Sequence, residues 1–408
     1  MTAPLVSFCI PTYNRDRYLD SLLHGLAEQL NGFPHPYEVF ISDNGSTDST
    51  QAVVAQHLDK LPLRYFRHGE NRGSRANYQF LMNEAQGRYL VYVADDDCII
   101  GPRVADIISL MEANPDVGVA YAPWKLLDLV ADKDLGQFYQ QDRDVVIEQG
   151  QHHHLLDTIL RYGIFPEIYI SRKDMLQAVM PGVPEQAFYA FVHASEFAHR
   201  AAVLFLKDPF YVSITNYFAD HQRSQAGIAE AEVAWDRYRG GLEFVLGRAL
   251  PRITPMERVG YNLRIQEIIG QRIGVAVRLR LSSQRDPVET YYLAYRLKAM
   301  GAENQLPAPL GTLRVDAALG YFLTDAELNR DVTELLFLGT FDPSWRRRLE
   351  STEKRPVRFI TSPSQMPTLH PQMLVLDCWP DAAQGHPVSQ AQGARIVRLA
   401  DLLAKFPE

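Results

Sequence analysis

The chain has 408 residues, 46% hydrophobic and 22% charged, a composition that fits a globular protein of more than one domain and excludes collagen-like, disordered and disulfide-scaffold classes. With 41 Lys plus Arg against 49 Asp plus Glu the net charge is −8, so nucleic acid is not expected as a partner. The longest apolar stretch, residues 201–218, is broken by Lys207, Asp208 and Pro209, and residues 1–10 lack the basic and long apolar regions of a signal peptide; a cytoplasmic protein is expected.

In chain order, the apolar run 6–10 reads as a strand, and Tyr18, Leu19, Leu22, Leu23, Leu26 and Leu30 recur at helical spacing over 15–30. Strands at 37–41, 63–68, 89–94 and 117–122 alternate with helices capped at Ser46 or Thr47 and running to about 58, then at 74–85 and 103–113. Strands separated by helices of this length imply crossover connections, hence an α/β fold with a mostly parallel, Rossmann-like sheet. After Trp124 the alternation fades. Residues 228–331 read as an arginine-rich helical spacer or oligomerisation region, with Arg258, Arg264, Arg272, Arg278 and Arg280 on its solvated face or against acidic lipid headgroups. Pro307, Pro309 and Gly311 suggest a linker. Residues 332–408 read as a small α/β unit with strands at 335–339, 357–361 and 373–376 and helices at 343–351 and 399–406. The expected division is therefore 1–227, 228–331 and 332–408.

Cys9, Cys98 and Cys378 are too far apart in sequence to form a CxxC pair or a metal site, and read as reduced thiols. His152, His153 and His154 are adjacent, so on a helix they diverge by about 100° and read as a solvated helix start.

Ligands of parallel α/β sheets collect at the carboxyl ends of strands. Those ends carry Pro11-Thr12-Tyr13-Asn14, Asp43-Asn44-Gly45-Ser46-Thr47-Asp48, Asn71-Arg72-Gly73 and Asp95-Asp96-Asp97. No P-loop, GxGxxG or HExxH pattern is present. Three consecutive carboxylates after a buried-type strand repel one another unless a cation joins them, and a hard divalent ion, Mg²⁺ or Mn²⁺, suits oxygen ligands completed by substrate phosphates.

Pro11-Thr12-Tyr13-Asn14-Arg15, Ser42 to Asp48, Asn71-Arg72-Gly73 with Asn77, Gly87-Arg88-Tyr89 and Asp95-Asp96-Asp97, in this order and spacing, resemble the family-2 glycosyltransferases of the GT-A fold, of the bacterial surface-polysaccharide type. The resemblance spans residues 4–125, more loosely to 225. It implies transfer of a hexosyl or deoxyhexosyl group from a nucleotide diphosphate sugar to a hydroxyl of a glycan or lipid-linked saccharide, with a divalent metal and inversion at the anomeric carbon. It further implies that Pro11, Tyr13 and Asp43 hold the base and ribose, with Thr12, Asn14 and Asn44 beside them. Arg72 would border the base or diphosphate, and Asp95 and Asp97 with Asp96 between them would form the metal-binding DxD element. Where many members read Asp-x-Asp-Asp, this chain has Ala94 before three aspartates.

A general base is expected near the start of a helix in the second half of the domain, where the usual Glu-Asp dipeptide is missing; Glu196 is favoured, with His193 and Glu185 as alternatives. In residues 213–224, His221 could supply a nitrogen to the metal and Arg223 a planar fork to the diphosphate. Peripheral contact with the inner face of the plasma membrane and a homo-oligomer are compatible with this reading. The rival is a non-catalytic scaffold that binds a sugar nucleotide and has lost its base.

Overall fold

A computed structural model describes residues 3–182, 186–220, 231–233, 235–340, 343–379 and 393–408. The chain divides into two compact units, Met1–Ala226 with Ala234–Ile269, and Gly227–Val233 with Gly270–Glu408.

The first unit opens with β1 (Val6–Thr12), α1 (Asp16–Gln29), β2 (Tyr37–Asp43), α2 (Thr50–Gln56), β3 (Leu63–Arg67), α3 (Ser74–Glu84) and β4 (Tyr89–Tyr92). Strands β1 and β2 are buried along nearly their whole length, which is why they read as continuous apolar runs rather than alternating ones. The face of α1 predicted from its spacing, Tyr18, Leu19, Leu22, Leu23 and Leu26, is the face it buries. Helix α2 begins later than its predicted caps because residues 43–48 form a loop of their own, in which the Ser46 N–H donates to Asp43 Oδ1 and Gly45 sits at φ +83°.

There follow β5 (Cys98–Ile99), α4 (Gly101–Ala113), β6 (Val117–Tyr121), β7 (Trp124–Asp128), β8 (Lys133–Gln137), β9 (Val145–Ile147), α5 (His152–Tyr162), β10 (Tyr169–Arg172), α6 (Lys173–Val179), α7 (Tyr189–Arg200), β11 (Ala202–Phe205), β12 (Tyr211–Asn216) and α8 (Trp235–Ala249). The main sheet has the order β3-β2-β1-β4-β10-β6-β11-β9. It is parallel at β3-β2, β2-β1, β1-β4 and β6-β11, and antiparallel around β10 and at β9. A second sheet, β5-β12-β7-β8, forms where the sequence alternation fades. It carries the segment after the acidic triplet: β5 pairs antiparallel with β12, and β12 runs parallel to β7.

The division between units falls within α9 (Pro255–Ser282). The second unit contains α10 (Pro287–Ala299), α11 (Leu310–Thr324), β13 (Glu334–Leu338), α12 (Pro343–Thr352), β14 (Val357–Ile360), β15 (Met373–Asp377), β16 (Arg395–Arg398) and α13 (Leu399–Leu403). Its four strands are all parallel, in the order β14-β13-β15-β16, and β16 is a strand the sequence pattern did not reveal. The helices pack on this unit rather than standing apart: Phe322 of α11 meets Phe337 of β13 at 5.7 Å, and Phe406 meets Tyr291 of α10 at 5.6 Å. Pro309 is the N-cap of α11 and Gly311 lies in its first turn, so a helix starts where a linker was expected. Arg280 is buried, donating to Thr290 Oγ1 at 3.1 Å and Glu289 at 2.6 Å, not solvated as its spacing suggested. Among the described residues no helix is long and apolar enough to cross a membrane.

Candidate functional site

Four loops at the carboxyl ends of β1 to β4 are tied into one surface by side chains that the strand register brings level, Thr12 lying opposite Asp43. Asn14, in the left-handed region at φ 52°, accepts from the Thr47 N–H at 2.7 Å, while its own N–H donates to Ser46 Oγ at 2.8 Å. That joins the first loop to the second. Asn44 joins the second to the third: its Oδ1 accepts from the Arg72 N–H at 2.9 Å, and its Nδ2 donates to Asn71 at 2.8 Å. Gly45 is required here, because a Cβ would lie 2.8 Å from the backbone carbon of Glu70. Beneath, Ser42 donates to Asn77 Oδ1 at 2.6 Å, and Asn77 donates back to the Ser42 carbonyl at 2.9 Å.

Asp43 is fully buried. One oxygen accepts from Ser46 N–H at 2.7 Å, the other from the Tyr65 hydroxyl at 2.6 Å, so in the free protein it shapes the second loop. Tyr13, by contrast, is 40% exposed and presents its ring beside these loops.

The fourth loop carries the triplet, with Asp95, Asp96 and Asp97 each no more than 8% exposed. Thr12 Oγ1 donates to Asp95 at 2.8 Å, and Arg15 Nη1 lies 3.4 Å from Asp95 while also pairing with Asp96. Asp97 turns the other way, accepting from the Ile214 N–H at 2.8 Å and the Tyr211 hydroxyl at 3.0 Å on β12. Burial raises its carboxyl to about 6 against these donors, and the charge of Asp95 adds to the rise. Three carboxylates held this far from water suit a hard cation by their oxygen-only donor set. Arg15, which closes the first motif, is a residue whose part in the site the sequence did not reveal.

The segment after β12 folds back on α1, with Tyr217 and Phe218 at 5.3 and 5.1 Å from Tyr18 and the Arg17 guanidinium 4.3 Å over Phe218. His221 and Arg223, which follow it, and Glu185 lie outside the described residues.

The candidate bases on α7 differ sharply. Glu196 pairs with both Arg200 and Arg248, so its oxygens are already occupied by two guanidinium groups. His193 is 5% exposed with neither ring nitrogen hydrogen-bonded among the described residues, and burial lowers its pKa to about 4, Glu196 opposing the shift. It stands against Tyr189 at 5.6 Å between ring centres. Tyr189 acts electrostatically on Tyr78, whose ring lies 5.7 Å from Tyr92, and Tyr92 in turn feels Asp95 and Asp97.

Two histidine groups outside this surface are structural. His152 is buried rather than solvated, 3.4 Å from Ser195 Oγ, and its pKa is lowered to about 4 by burial and by Arg248. Asp20, His24 and His57 converge closely enough to hold an ion. However, the His57 Nε2 lies 2.7 Å from Asp20, while its Nδ1 is buried without a partner. A metal on Nε2 would force the proton onto Nδ1, which has no partner among the described residues, so Nε2–H donating to Asp20 is favoured and the cluster is a hydrogen-bonded contact between α1 and the end of α2.

Residues 7–154 match the family model described as glycosyl transferase family 2. This segment is a family-2 glycosyltransferase domain. The four site loops all fall within it. The chain is 33% identical over 115 residues to the abequosyltransferase RfbV of Salmonella typhimurium, an alignment covering 28% of this chain and 34% of that protein. Two solved structures are also similar: S. aureus TarS 1-349 in complex with UDP-GlcNAc, at 18% identity, TM-score 0.44, 73% of this chain and 89% of that chain; and the mannosyltransferase PcManGT of Pyrobaculum calidifontis in complex with GDP-Man and Mn²⁺, at 16% identity, TM-score 0.41, 81% of this chain and 87% of that chain. The match to the curated relative thus spans about a third of its length.

Proposed function

We propose that this chain is a glycosyltransferase that moves a sugar from a nucleotide diphosphate sugar to a hydroxyl of a glycan or lipid-linked saccharide, with Mg²⁺ or Mn²⁺ at the aspartate triplet. The convergence of four strand-end loops on three buried carboxylates, inside the family-matching segment, carries the reading. Pro11, Thr12, Tyr13, Asn14, Asp43 and Asn44 form the nucleotide side. Tyr13 offers an exposed ring face, Asp43 and Asn44 hold the loops in shape, and Arg72 borders the diphosphate. Asp95 and Asp97 hold the ion, with Asp96 beside them. When bound, that ion neutralises the charge growing on the diphosphate leaving group. Asp97 would have to leave its Tyr211 and Ile214 donors in part, or share them, to reach it.

The acceptor hydroxyl must lose a proton. His193 is the better placed of the two in one respect, having both ring nitrogens without a hydrogen bond among the described residues, whereas Glu196 would first have to give up two arginines; to act as the base, His193 must be opened to the acceptor, which would lift its burial-lowered pKa back toward the working pH. The occupation of Glu196 is also the observation that favours the second reading, a scaffold that binds the sugar nucleotide without turning it over.

Nucleotide release from UDP-, GDP-, dTDP- and CDP-sugars, with and without Mn²⁺ and a saccharide acceptor, separates the two. Metal-dependent release that rises with acceptor supports transfer. Metal-dependent binding seen as a thermal shift, without release from any donor, supports the scaffold. Neither binding nor release overturns both.

A further inference from the structure

We infer that Arg15 is a resident counter-cation of the aspartate triplet in the free protein, and that it exchanges places with the divalent ion and moves to the donor's diphosphate. The inference rests on the metal reading above. Its basis is geometric: a single Arg15 nitrogen, Nη1, contacts both Asp95 and Asp96, while Asp97 is turned away onto β12. The carboxylates are nearly closed to water, but the Arg15 side chain is 30% exposed, so the guanidinium has a path outward that they lack.

Arg15 is aimed by its neighbours. Asn14 holds a left-handed turn fixed by Thr47 and Ser46, and α1 begins at Asp16, so the guanidinium leaves the chain at the mouth of the sheet. Its carbon lies 5.8 Å from the Tyr18 ring, a second surface against which a displaced guanidinium can rest.

A divalent ion needs the same carboxylate oxygens that Arg15 now uses, and two cations on one set of oxygens repel strongly in a water-poor site. Binding is therefore exchange, not simple addition. The released guanidinium is a planar fork matched to phosphate oxygens, and a diphosphate completing the ion's shell would offer it such oxygens. Metal alone is then a weak ligand, and metal with a diphosphate a strong one, because the diphosphate gives Arg15 a charged partner where Tyr18 offers only a ring face. Arg15 is on this account a donor-positioning residue that couples the two binding steps.

The test measures Mn²⁺ binding by the EPR signal of the free ion, using the full chain with native Arg15, Arg15→Gln and Arg15→Lys, first with Mn²⁺ alone and then with inorganic pyrophosphate. Expected are at least about tenfold tighter binding of Mn²⁺ alone by Arg15→Gln, near-native binding of Mn²⁺ alone by Arg15→Lys, which keeps the competing charge, and capture of pyrophosphate that is weaker in the Gln variant and intermediate in the Lys variant, which lacks the planar fork. Far-UV circular dichroism checks folding, and the Lys variant keeps the comparison meaningful if the Gln variant is unstable: Lys binding Mn²⁺ alone as tightly as a metal site with no competing cation would overturn the inference. So would Mn²⁺ binding by the native chain that Arg15→Gln leaves unchanged or weakens, with the metal reading still standing. No Mn²⁺ binding by any of the three, with or without pyrophosphate, overturns the metal reading and this inference together.

Discussion

His193 offers a perturbation whose size follows from its surroundings. The imidazole is 5% exposed, has no hydrogen-bond partner on either nitrogen among the described residues, and is lowered by burial to about 4 from the 6.5 of an unfolded chain's histidine. The folded pKa is depressed, so the unfolded chain binds the proton first as pH falls. Stability is complete above about pH 6.5 and is lost progressively down to about 4. At pH 5 the linkage amounts to about 2 kcal/mol, and over the whole window to about 3 kcal/mol. In His193→Leu this loss should vanish, and at pH 7 the variant should be at least as stable as the native chain, since it no longer buries two partnerless nitrogens. Urea unfolding of both proteins at pH 7 and pH 5 reads the effect directly. His152 also charges in this range but does so in both proteins, so the difference between them isolates His193. A native-minus-variant difference that stays constant within about 0.5 kcal/mol between the two pH values would refute the reasoning. Measured alongside, donor binding should survive in His193→Leu while transfer is lost; undiminished transfer would remove His193 as proton acceptor without touching the stability result.

Asp97→Asn should keep the fold, because its one amide oxygen can still accept from the Ile214 N–H while its NH₂ faces the Tyr211 oxygen in place of the second carboxylate oxygen, but it should lose the Mn²⁺-induced rise in melting temperature; a native-sized rise would place the ion elsewhere. Gly45→Ala should destabilise by about 1–3 kcal/mol and weaken nucleotide binding, since the residue needs positive φ and has Glu70 backbone where a Cβ would go; calorimetric melting checks it. Glu196→Gln should cost about 1–2 kcal/mol, less than for a sealed ion pair because both arginines are about a third exposed, and should lower transfer only in proportion to folded protein; a large drop in turnover at full stability would restore Glu196 as the base. Asp43→Ala should weaken nucleotide-sugar binding by loosening the second loop, and an unchanged donor affinity by calorimetry would contradict that.

What the sequence made legible and what it hid follow from how local each feature is. The strand-end loops were readable because a buried parallel strand must end in polar residues at one known edge of the sheet, and each loop is continuous in sequence. Helix α1 was readable because one face repeats at helical spacing. The second sheet was not, since β5 has only two residues and finds its partner on β12, more than a hundred positions away. The same distance hid the use of Asp97: nothing near it in sequence indicates that Tyr211 and Ile214 hold it. Glu196 looked like a free carboxylate because only one of its two arginines, Arg200, is a helical neighbour, while Arg248 arrives from α8. His152 looked solvated because it sits in a polar triplet, though Ser195 of α7 covers it. Arg15 marks the sharper lesson. It is adjacent in sequence to the first strand-end loop, yet its meaning is a charge pairing across two loops, its guanidinium set against the carboxylates of Asp95 and Asp96, and such a pairing is visible only when both sides are in place.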